Sequence, residues 1–64
     1  MQPHQQRVVD EKSELDEKLS KLKEFITTNP MFMKLDPEEQ GRLKAQHGIM
    51  MQYSEILGAR IAAF

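Results

Sequence analysis

The sequence has no cysteine and no tryptophan, and only one tyrosine, three phenylalanines, three glycines and three prolines among 64 residues. Without cysteine there are no disulfides and no thiolate zinc sites. His4 and His47 remain with carboxylates as metal ligands, but they lack paired-histidine spacing, so neither a metal nor another cofactor is expected. There is no cysteine nucleophile and no glycine-rich phosphate loop. Ser13, Ser20 and Ser54 have no evident base and orienting acid. The chain therefore reads as a non-enzyme. No apolar run is long enough to span a bilayer and no signal-peptide pattern is present, which predicts a cytoplasmic protein without a membrane partner. Neither sign of charge prevails: 9 Lys+Arg against 10 Asp+Glu give a net charge of -1. That balance argues against non-specific binding of duplex nucleic acid.

Sixty-four residues allow a single domain, 1–64, without repeats or low-complexity segments. A fold this small buries only about 60% of the surface its unfolded chain exposes. With disulfides and metals excluded, oligomerisation is the remaining means of stabilisation.

The pattern that is present is helical. From about residue 3 to 27 there is no glycine, and no proline after Pro3. Val8, Leu15, Leu19, Leu22 and Ile26 recur at spacings near three and four, widened by Val9 and Phe25. Lys12 stands where that series expects an apolar residue: the simpler reading lets the helix turn it toward water, the other holds it at a seam for an anion. Glu14 with Lys18 and Glu17 with Lys21 are spaced for i,i+4 pairing. The segment Thr27-Thr28-Asn29-Pro30 ends this helix. Asn29 is placed to cap a short helix over about 30–34 that carries Phe32 and Leu35 inward and plugs the hairpin. Asp36, Pro37 and Glu39 then read as N-cap, first helical residue and capping-box partner of a second long helix, about 37–63.

In that last helix Leu43, Met50, Leu57 and Phe64 repeat every seven residues. Ile49, Ile56 and Ala63 form a second column one position earlier. Such a stripe is too wide for one partner, so a further copy or another protein must cover part of it. The sequence thus predicts an all-α protein: two long antiparallel helices joined by a short one, assembled as a homo-oligomeric bundle.

Several residues are candidates for binding. Arg60 is the one charge in Ile56–Phe64: a helix-terminal cation lying over apolar surface, or a bidentate anion ligand at a subunit seam. Lys18, Lys21 and Lys23 cluster late in the first helix, as a solvated face or a cationic one. The Thr27 and Thr28 hydroxyls either finish the helix or meet a phosphate. His4 is solvated or stacks on a base. Gly41, Gly48 and Gly58 suggest close approach of another helix or a ligand, with Gly41 open to being simply tolerated. Tyr53 and Met31, Met33, Met50 and Met51 read mainly as packing residues.

Gln5-Gln6-Arg7-Val8-Val9-Asp10-Glu11-Lys12, Glu14-Leu15-Asp16-Glu17-Lys18-Leu19, Lys21-Leu22 and Phe25-Ile26 resemble the opening helix of a family of short tailed-phage proteins. Leu43, Gln46, Met50-Met51, Tyr53, Ile56-Leu57 and Arg60-Ile61 resemble its closing helix. That family is the phage anti-CBASS sponges, all-helical proteins that oligomerise, as hexamers in the type case. They sequester the cyclic dinucleotide and cyclic trinucleotide messengers of a bacterial defence system. The resemblance implies one pocket between the first helices of two protomers, where an aromatic stacks on a base and a lysine meets phosphate. It implies a second pocket where three protomers meet around a late arginine. These roles fall near His4, on Lys18 or Lys21, and on Arg60. A histidine stands where the family has a larger aromatic. Apart from the resemblance, the apolar stripe also suits a small helical adaptor, or a phage assembly or regulatory protein that binds another protein.

Overall fold

A computed structural model describes all 64 residues and contains three helices: α1 (Pro3–Thr28), α2 (Met31–Lys34) and α3 (Pro37–Ala62). Together they form a rod of 46 × 15 × 13 Å. No helix is long and apolar enough to cross a membrane.

Each long helix starts at a proline, whose missing N–H costs nothing at that position. The Gln5 side chain accepts from the Gln2 N–H at 2.9 Å. At α3 the Asp36 carboxylate accepts from the Glu39 N–H at 2.8 Å. The expected reciprocal half of that box is not made. The Glu39 carboxylate turns to Arg42 instead, at 2.8 Å. Asn29 accepts from the Met31 N–H at 2.9 Å and so caps the short turn. The Gln40 amide donates to the Leu35 carbonyl at 2.8 Å, tying α3 to the end of α2.

The inward positions repeat as heptads on both helices. On α1 they are Val8, Lys12, Leu15, Leu19, Leu22 and Ile26, and on α3 Leu43, His47, Met50, Ser54, Leu57 and Ile61; all are buried or half-buried. The helices run antiparallel, so that Lys12 lies beside Ser54 and Gly58 while Lys23 and Ile26 lie beside Lys44 and His47. α2 closes one end. Phe32 is buried there, its ring edge-on to Phe25 at 6.1 Å between centroids, with the Lys44 ammonium 5.8 Å from its centre. Edge-to-face geometry suits the ring quadrupoles, and the ammonium meets the electron-rich face.

Lys12 does not turn to water. Its ammonium donates to Asp16 at 2.8 Å and across the hairpin to Ser54 at 2.9 Å. The Ser54 hydroxyl in turn donates to Asp16, closing a triangle. Turning the lysine outward would leave buried Ser54 and the Asp16 carboxylate without it, which is why the seam keeps a charge. Glu17 pairs with Lys21 at 3.3 Å as its spacing requires, whereas Glu14 and Lys18 form no ion pair. The methionines depart from a packing role: Met31, Met33 and Met51 are exposed, and only Met50 reaches the seam.

The second apolar column of α3 is bare. Ile49 is 66% exposed, Ile56 60% and Tyr53 42%. Two helices cannot cover a stripe this wide, because α1 occupies only the side on which Met50, Leu57 and Ile61 lie.

Candidate functional site

At about 100° per residue, His4, Lys18 and Phe25 lie along one line of α1, since they are separated by multiples of seven. Lys21 and Thr28, also seven apart, form the adjacent line. Both lines lie away from the Asp16 side of the seam. Lys21 and Thr28 line the same open cavity, of about 430 Å³, with Glu24, Phe25, Asn29 and Pro30. The structure therefore brings two of the candidate residues together at the closed end of the hairpin. Lys18 lies outside this cavity, exposed and one turn nearer the N-terminus.

Local chemistry sets what these groups offer. The Lys21 ammonium is held by Glu17 but remains largely in water, so an anion can compete for it. The Thr28 hydroxyl donates to the Glu24 carbonyl at 2.7 Å, and Thr27 donates to Lys23 in the same way at 2.8 Å. Thr28 must rotate out of that bond to donate to a phosphate.

The other two candidates sit elsewhere. His4 is exposed in the first turn of α1, roughly 26 Å along the axis from Lys21 at the ~1.5 Å helical rise. Arg60 is exposed in the last turn of α3 and has no acidic partner. It shares its line of α3 with Ile49, Tyr53 and Ile56, so this cation stands within the uncovered apolar stripe. The helix C-terminus favours a positive charge there. No single chain can place His4 against Lys21 and Thr28, because both lie on one straight helix.

The most elaborate polar cluster is one that reading residues singly does not find. Asp16 is held below the usual carboxylate range, first by the Lys12 hydrogen bond and then by that of Ser54, against the opposing effect of partial desolvation. Its signal in the sequence is a double interruption: Lys12 breaks the α1 heptad where Ser54 breaks that of α3. Lys12, Ser54 and Asp16 bond to one another and leave no buried side-chain polar atom without a partner, so the cluster reads as a structural clasp. No group of three or more histidine, cysteine or acidic side chains is placed to hold a metal ion.

Gly58 lies against Lys12, whose Cε would stand 3.4 Å from an added Cβ, a contact an alanine could make. Gly41 and Gly48 face open space.

No curated protein and no solved structure matches the chain. The family model described as Sequestin matches residues 2–63, in agreement with the resemblance seen in both long helices. Nearly the whole hairpin is covered by that match, and the chain belongs to the Sequestin family.

Proposed function

We propose that the chain is a non-enzymatic phage anti-defence protein of the host cytoplasm that sequesters cyclic oligonucleotide messengers of CBASS immunity. It binds cyclic dinucleotides, cyclic trinucleotides or both, and works as a homo-oligomer, a hexamer by resemblance. Membership of a family named for sequestration supports binding without chemistry. The observation that carries the reading is the position of Arg60: an exposed, unpaired guanidinium on the bare stripe of Ile49, Tyr53 and Ile56. Copies that cover this stripe bring their arginines to one place. Like charges so gathered repel until a multivalent anion joins them, so ligand and assembly reinforce each other. A guanidinium fork suits phosphate oxygens. Symmetry thus supplies positive charge that a net charge of -1 conceals.

The resemblance implies a second class of pocket, between the first helices of two copies, and the distance along α1 from His4 to Lys21 is compatible with it. An antiparallel pair of first helices would set His4 of one copy against Lys21 and Thr28 of the other. The imidazole stacks on a base while Lys21 and a rotated Thr28 meet phosphate.

The test joins light scattering with calorimetry, using cyclic di- and trinucleotides as ligands. The reading expects an oligomer, saturable binding of at least one ligand, and loss of trinucleotide affinity in Arg60→Ala. A monomer or dimer that binds no cyclic nucleotide favours the adaptor reading, in which another protein covers Ile49 and Ile56.

A further inference from the structure

An all-acidic line runs along α1 beside the line of Lys21 and Thr28. Asp10, Glu17 and Glu24 are spaced by sevens, so they follow one another along the exposed outer side of the helix. Asp10 accepts from the Gln6 amide at 2.9 Å, and Glu24 has no ion-pair partner. Glu17 is the one of the three that reaches the neighbouring line. Its carboxylate meets the Lys21 ammonium at 3.3 Å. Lys21 is the only cation among the residues that line the cavity at the closed end of the hairpin. An anion that enters there finds its one ammonium group already engaged.

We propose that Glu17 is a negative determinant of affinity at this cavity, a tethered carboxylate that competes with the ligand phosphate for Lys21. The proposal rests on the reading of Lys21 as a phosphate ligand. Glu17 opposes the ligand in two ways. The ion pair must open before Lys21 can turn to a phosphate. Once open, the carboxylate stays within about one helical turn of the phosphate, and like charges that close repel. Both effects are modest, because the Lys21 and Glu17 side chains are 75% and 70% exposed and water screens them. Together they weaken binding by about two- to fivefold. Glu17 thus favours ligands that have contacts besides the phosphate, since such contacts offset the lost pair.

The experiment is a calorimetric titration of the full chain with cyclic GMP–AMP, a cyclic dinucleotide with both purine bases in one ring. The parent is compared with E17Q, K21Q, E17Q/K21Q and D10N, each checked for parental helicity by circular dichroism; E17A serves if E17Q misfolds. E17Q should bind about two- to fivefold more tightly than the parent. Adding E17Q to K21Q should give no such gain, because the freed ammonium is then absent. D10N removes the same charge from the same line, about 10 Å from Glu17, and should bind as the parent does at physiological salt. A parent that binds and an E17Q that binds no more tightly overturn the proposal while leaving the reading of Lys21 in place. An equal gain in D10N, or in the K21Q background, also overturns it, since the effect is then one of overall charge. K21Q with parental affinity, or no binding by parent and E17Q alike, removes the reading of Lys21 and this proposal with it.

Discussion

Lys12 and Ser54 are 42 residues apart in sequence and 2.9 Å apart in space, each interrupting the apolar heptad of its own helix. The pairing is register-specific. Sliding α3 by one heptad would set Lys12 against Ile61 or His47, neither of which replaces the serine hydroxyl, and leave buried Ser54 without its partners. A polar pair inside an apolar seam specifies one alignment at a cost in stability.

Ser54→Ala should therefore lower stability by about 1 kcal/mol, the usual net worth of a hydrogen bond. In a chain of this size that is roughly 4–8 °C in melting temperature. Replacing both partners, K12L with S54A, should recover most of the loss by continuing the apolar seam. Circular dichroism melts at one fixed protein concentration check both. A double variant less stable than either single one would refute the clasp.

Asp16 makes stability depend on acid pH. Its carboxyl is held below its ordinary value of 3.8 in the folded chain, so as pH falls through that value the unfolded state takes up the proton first. The contribution is complete above that ordinary value. It declines as pH drops toward the lower folded value and is gone beneath it. Asp16→Asn should flatten melting temperature against pH over this acid range, and curves of parallel slope would contradict the assignment.

Ile56→Glu tests the bare face of α3. The side chain is 60% exposed in one chain, so the change should cost a lone hairpin about 0.5 kcal/mol or less. In the proposed assembly it puts a charge into an apolar contact. Light scattering should show a fall in particle mass while helicity is kept; an unchanged mass would move the contact elsewhere.

Gly48→Ala distinguishes open space from a packed one. Within one chain nothing lies within 4 Å of the added methyl, and helix propensity favours alanine by about 1 kcal/mol. A higher melting temperature is expected if this side of α3 stays in water. A lower one, together with reduced mass, would place another copy against Gly48.

Phe32→Ala should cost about 3–5 kcal/mol, since this buried ring fills the closed end of the hairpin. Phe25→Ala should cost less, as Phe25 is only half-buried. Chemical denaturation of the two variants gives the comparison.

The helices were legible because their signals are local: heptad spacing, Pro3 and Pro37 at the helix starts, and Asn29 and Asp36 as caps. The excess width of the α3 stripe was also legible, and Ile49 and Ile56 stand bare in consequence. The fate of Lys12 was not, because it depends on which α3 residue lies opposite, and Ser54 alone looks ordinary. The methionines misled for a related reason: hydrophobicity marks Met31 and Met33 for burial, yet α2 is a single turn with one inward side, taken by Phe32. Among the site residues, Lys21 and Thr28 meet because seven residues make two turns of one helix. Lys23 reads as one of their cluster but faces the other way, since two residues carry it past the seam.

Within one copy only Val8, Phe32, Leu57 and Ser54 are buried. In the proposed assembly the further apolar surface leaves water against another copy, so the resistance of the chain to unfolding would be a property of the solution as much as of the sequence. Dilution would then act as a denaturant: the melting temperature should fall with protein concentration, and newly made chains should gain protection from proteolysis only as their numbers rise.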